Sequence, residues 1–111
     1  MKEVVIDGKK YVEQPDTGDG YAIVRTYSAG VFMGKIQKRE GKEVELVDAR
    51  RLWRWAGAAT LSQLATEGTK TPGECKFPTA VPIIILTEVI EILPCTQEAV
   101  NSIREVPVWT A

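Results

Sequence analysis

Residues 21–53 read YAIVRTYSAGVFMGKIQKREGKEVELVDARRLW, three β-rich runs parted by two short glycine-bearing turns. The runs are YAIVRTY, VFMGKIQKR and EVELVDARRLW, and the turns are Ser28-Ala29-Gly30 and Glu40-Gly41-Lys42. Connections this short cannot carry a parallel crossover, so the stretch predicts an antiparallel meander. Gly34, inside the second run, marks a bulge or a close backbone approach.

Upstream, VVIDGKKYV at 4–12 centres on Asp7-Gly8, a pair that supplies the positive φ angles of a tight hairpin turn. A small hairpin is expected within residues 1–13. QPDTGDG at 14–20 has no apolar residue and reads as a flexible link to a main domain over 21–111, with no second domain.

Downstream of the meander, AGAATLSQLATEG loses the β-branched bias. Thr60 there can cap a short helix through Leu61, Leu64 and Ala65 that ends at Gly68. TKTPGECKFP at 69–78 is loop. AVPIIILTEVIEILP at 80–94 reads as one long strand, buried on both faces for part of its length and closed by Pro94. Thr96 caps a second helix, with Ala99, Val100 and Ile103 on one face and Pro107 as its stop. The expected class is α+β: a mainly antiparallel twisted sheet with two short helices in a single domain.

Composition narrows the function. The chain has 111 residues, 44% hydrophobic and 26% charged, with 14 basic and 15 acidic side chains for a net charge of −1. A general duplex-DNA binder draws affinity from a basic excess, which is missing here. The longest apolar run, VPIIIL at 81–86, is far short of the roughly 20 residues that span a bilayer. Met1-Lys2-Glu3 begins no signal peptide, so a cytoplasmic protein is expected. Cys75 and Cys95 are too few for a disulfide scaffold and are expected as free, partly buried thiols.

The absence of histidine removes the commonest general base, the Ser-His and Cys-His nucleophile pairs, and most zinc or iron sites. Asp48, Glu88 and Glu91 could in principle supply a carboxylate pair, but glutamates alternating along a strand ordinarily form a solvated face. DTGDG at 16–20 lacks the third ligand and the distant bidentate glutamate of a calcium loop. No phosphate-loop or dinucleotide glycine pattern occurs, so no catalytic residue, metal or cofactor is expected.

Binding is the chemistry that remains. Guanidinium groups grip phosphate oxygens in pairs of parallel hydrogen bonds, and indole or phenol rings stack on bases. Two groups combine such side chains: Arg25 and Tyr27 leading into the Ser28 turn, and Arg50, Arg51, Trp53, Arg54 and Trp55 within ARRLWRW at 49–55. In an extended chain positions 51, 53 and 55 share one face, with Arg54 opposite. The structural alternative is that the tryptophans fill a core or an interface, that the arginines lay their stems over them, and that Arg50 and Arg51 pair with Glu43, Glu45 or Asp48. Lys35, Lys38 and Arg39 read as a solvated strand face.

The stretches VRTYSAGVFMG, ARRLWRWAGAATLSQLA, ILTEVIEILPCT and EVPVW together resemble a family of small proteins, of no assigned activity, encoded by bacteriophages and prophages. The likeness covers residues 21–109. It implies a small protein in the cytoplasm of an infected bacterial cell, a setting in which several phage families sequester the cyclic nucleotide signals of host defence as oligomeric sponges. The leading expectation is therefore a homo-oligomer, dimer or tetramer, that captures a cyclic dinucleotide or related signal without cleaving it. Its ligand-binding residues would be Arg25, Tyr27, Ser28, Arg51, Trp53, Arg54 and Trp55. Two alternatives stand beside it: a protein–protein module that inhibits a host protein or assists phage assembly, and a single-stranded nucleic-acid binder.

Overall fold

The computed structural model describes residues 18–110 and, before them, the backbone of two short strands. Those strands, Glu3–Ile6 (β1) and Lys9–Val12 (β2), pair antiparallel with Ile6 opposite Lys9. The expected Asp7-Gly8 turn and residues 14–17 of the expected link lie outside the described residues. Gly18–Gly20, the end of that link, forms a 3-10 turn with Gly18 buried.

The meander is present as read: Tyr21–Thr26 (β3), Val31–Glu40 (β4) and Glu43–Arg51 (β5) pair antiparallel in sequence order. β5 stops two residues short of the run that its sequence suggests. The helices also follow their signals. Thr60 accepts from the Gln63 amide at 3.1 Å to open Leu61–Glu67 (α1), and Thr96 accepts from the Ala99 amide at 3.1 Å to open Gln97–Glu105 (α2). Each cap meets one of the amide donors that a helix start leaves unpaired.

The segment 80–94 is not one long strand. Val81–Leu86 (β6) pairs with β5, whereas Val89–Pro94 (β7) pairs with β3, giving the order β6-β5-β4-β3-β7. Two consecutive strands thus form the two edges of one sheet, with only Thr87 and Glu88 between them. That is possible because the sheet curls until its edges meet at a corner. There the Val89 amide donates to the Lys42 carbonyl at 3.0 Å and the Tyr27 amide donates to the Glu88 carbonyl at 2.9 Å.

The curl originates in β4 and β5, whose register shifts between Met33 and Lys35 and again between Ile36 and Lys38. Bulges of this kind bend and twist the strand that carries them. Gly34 lies at the first shift, where an added Cβ would sit 3.1 Å from the Ala49 Cα and 3.1 Å from the Val47 carbonyl oxygen. Both consequences expected of Gly34, a bulge and a close approach, are therefore met at one position. Asp48 opposite it takes a left-handed conformation, φ 49°.

Strand alternation then divides the core in two. Ala22, Val24, Phe32, Val44, Leu46 and Leu86 fill the inside of the curl, and Ile23 and Met33 face outward onto α1, α2 and Phe77. Both cysteines are free and buried. Among the described residues no helix is long and apolar enough to cross a membrane.

Candidate functional site

The C-terminal end of β5 sends consecutive arginines to opposite faces of the sheet. Arg51 lies across the strand pair from Phe32, with its guanidinium carbon 4.3 Å above the centre of that ring. Its Nη1 donates to the Ala29 carbonyl in the β3–β4 turn. Gly30 in that turn has φ 95°, so any other residue there would be strained, and the place of a Cβ would lie in ordinary contact with Arg51 Nη1 at 3.5 Å. The ring and the turn hold Arg51 in place while most of its five N–H groups stay available.

Beyond Arg51 the strand ends and strict alternation ends with it: Leu52 lines the same depression as Arg51 and Trp53. Arg51, Trp53 and Trp55 line a depression of about 280 Å³ together with Leu52, Val31 and the Ser28–Gly30 turn. Trp55 is half-buried against the outer core, and Trp53 is 63% exposed. Arg54 does not line the depression. Its backbone pairs with Lys76, the Lys76 amide donating to the Arg54 carbonyl at 2.7 Å.

Four of the seven expected residues therefore converge: Ser28, Arg51, Trp53 and Trp55. Three do not line that depression. Arg25 donates through Nε to Glu91 Oε1 at 3.1 Å across β3 and β7, an exposed ion pair of little energetic weight. Tyr27 is 78% exposed and borders a separate hollow of about 260 Å³ with Lys42, Glu88 and Ile90. Ser28 links the two hollows, and its hydroxyl donates to Glu88 Oε1 at 2.9 Å. Arg51 and Arg54 form no ion pair among the described residues, so neither pairs with Glu43, Glu45 or Asp48. An arginine free of carboxylates beside two indoles suits an anionic aromatic ligand.

The sequence places Arg50 either in the second arginine–aromatic group or in a pair with an acid across the sheet. It is instead 6% exposed and donates to three backbone carbonyls: Pro78 from Nε at 3.0 Å, Phe77 from Nη2 at 3.0 Å and Ile103 from Nη1 at 2.8 Å. Burial pulls its pKa below the ordinary arginine value, although the Ile103 carbonyl near the C-terminal end of α2 supplies partial negative charge. The guanidinium thus ties β5 to the 77–78 segment and to α2.

A third cluster lies nearby. The Tyr21 hydroxyl donates to Asp48 Oδ2 at 2.6 Å, and Arg104 Nη2 stands 3.7 Å from the same oxygen. Burial and the Asp48 carboxylate raise the Tyr21 pKa above the usual phenol range. The bulge aims Asp48 at this cluster, and nothing in the sequence pattern signals it.

No curated protein and no solved structure matches the chain. The model of one family, described as Domain of unknown function (DUF6948), matches residues 19–103. That span begins just before β3, contains the whole aromatic depression and reaches the end of the α2 core face, so the chain belongs to the DUF6948 family.

Proposed function

We propose that the protein is a non-enzymatic, phage-encoded binding protein that captures a cyclic nucleotide signal in the cytoplasm of the infected cell. The observation that carries this reading is the convergence of Arg51, Trp53 and Trp55 with the Ser28–Gly30 turn around one depression. Its volume of about 280 Å³ lies at the low end of small-molecule sites. One base with its phosphate fits that scale, and a cyclic dinucleotide does not. A homodimer that brings two depressions together would enclose the whole ligand, with an indole stacked on each base and an Arg51 on each phosphate.

The test is isothermal titration of cyclic dinucleotides, cyclic trinucleotides and cyclic ADP-ribose isomers, followed by chromatographic recovery of the bound compound. Binding at micromolar affinity or tighter with intact ligand recovered is expected. If no compound binds more tightly than about 100 µM, roughly 5.5 kcal/mol, the reading fails.

A second reading, a module that binds a host or phage protein, has its own support. Val81, Ile83 and Ile85 are exposed side by side along β6, and Val108 and Trp109 are exposed on the C-terminal segment. Exposed apolar side chains grouped in this way mark interaction surfaces. Failure of the nucleotide panel together with retention of a protein partner lost on Ile83→Asp would favour it.

A further inference from the structure

The outer face of β5, behind the aromatic depression, carries a second hollow of about 230 Å³ whose lining includes Arg50, Arg104, Asp48, Met33, Ala80 and Val108. It has room for about seven waters at roughly 30 Å³ each. Arg50 is the unusual member. Its three nitrogens each donate to one carbonyl, so Nη1 and Nη2 each retain an N–H with no acceptor among the described residues. No carboxylate lies within ion-pair distance of it among those residues. A buried cation held by carbonyl dipoles, with open donors and a hollow beside it, attracts an anion.

We infer that this hollow is a binding site of its own for a short-chain monocarboxylate, held at its charged end by Arg50 and Arg104 and along its body by Met33, Ala80 and Val108. The charge count sets the valency. Two arginines and Asp48 leave a net charge of +1 around the hollow, so one carboxylate neutralises it and a second meets Asp48 unfavourably. Asp48 is fixed in that role: its left-handed backbone and the Tyr21 hydroxyl at 2.6 Å hold the carboxylate toward Arg104. The apolar walls set the chain length, since each methylene moved from water onto them tightens binding by up to about fourfold.

The test follows the Arg50 Nε–H signal by two-dimensional NMR during titration with acetate, butyrate and succinate at constant ionic strength, with chloride as the reference salt. A saturable shift is expected, with butyrate binding up to about 16-fold more tightly than acetate and more tightly than succinate, which has the same carbon count. Arg104→Gln should weaken butyrate about tenfold, the low end of a charge-assisted hydrogen bond, with an unchanged urea midpoint. Asp48→Asn, which keeps an acceptor for Tyr21, should raise succinate affinity selectively. Arg51→Ala should leave butyrate binding unchanged, which separates this site from the aromatic depression. A shift no larger than with chloride, affinities that ignore chain length, or an Arg104→Gln protein that binds butyrate like the wild type would overturn the assignment.

Discussion

Replacing Arg50 by Met keeps most of the buried stem volume and removes the three-pronged donor. The Ile103 and Phe77 carbonyls then lose their Arg50 bonds at buried positions, while the Pro78 contact is only part-buried and can be replaced by water. Each carbonyl keeps one backbone donor, the Val106 N–H on Ile103 at 3.3 Å and the Trp109 N–H on Phe77 at 3.0 Å, so the cost is that of two lost charge-assisted hydrogen bonds, about 1.5–3 kcal/mol each. Relief of a desolvated charge opposes this, but the carbonyls and the end of α2 already compensate much of that charge, so the loss of donors dominates. The expected net loss is about 3–5 kcal/mol, a large share of the roughly 5–15 kcal/mol that holds such a domain folded. In urea, with a slope of about 1–2 kcal/mol per molar, the unfolding midpoint should fall by at least about 1.5 M at constant slope. Arg50→Lys should recover little of it, because an ammonium cannot span three carbonyls. A loss below about 1 kcal/mol for Arg50→Met would refute the reasoning, since burial of the charge would then have cancelled the bonds it makes.

Alkaline pH gives a signed prediction. Burial pushes the Cys95 thiol up from 9.0 to about 12 and raises the Tyr21 phenol as well. Both groups hold their protons more tightly folded than unfolded, so their contribution is complete below pH 9 and is lost as pH rises toward 12, by about 3 kcal/mol at pH 11 for Cys95. Urea midpoints measured from pH 7 to 11 should fall in the wild type and flatten in Cys95→Ala, and equal slopes would contradict this. Gly34→Ala should cost about 1–3 kcal/mol, because the Cβ presses on the backbone of Val47 and Ala49; an unchanged thermal midpoint would mean that the β5 backbone yields freely. Arg51→Ala should weaken the best nucleotide ligand at least about tenfold, the low end of a charge-assisted contact, with the fold retained, whereas Arg25→Ala, whose partner is Glu91, should have little effect. Sedimentation at micromolar concentration should report a dimer or tetramer, and a monomer would remove the shared-ligand arrangement.

Much of the fold was legible because its decisions are local. Gly30 and Gly41 set the turns of the meander, Thr60 and Thr96 open the helices, and each acts within four residues of its own position. The split of 80–94 was not legible for the opposite reason. Thr87 and Glu88 are neither glycine nor proline, and the β-branched run continues on both sides of them. What divides the run is the curl of the sheet, to which the β4–β5 register shifts contribute from far earlier in the chain, around Gly34 and Asp48. A periodicity window has no access to that separation.

The site divides along the same line. Nearness along the chain brought Arg51, Trp53 and Trp55 to one depression, which Leu52, of opposite parity, lines as well and Arg54 does not. Arg25 and Ser28 are placed instead by Glu91 of β7 and Glu88 of the connection before it, a strand and a corner that the sequence does not assign to that edge. Parity contained an unused signal. The alternation that buries Leu52 puts Arg50 on the same side, so an arginine in phase with a core leucine has to find carbonyls or an acid inside the protein. Two adjacent arginines, alike in sequence, thus take opposite tasks: Arg51 is held by a ring and a turn with most of its donors open, and Arg50 donates to three backbone carbonyls in two segments. The difference follows from which face of β5 each occupies, and it makes charge removal at 51 a test of binding and charge removal at 50 a test of the fold.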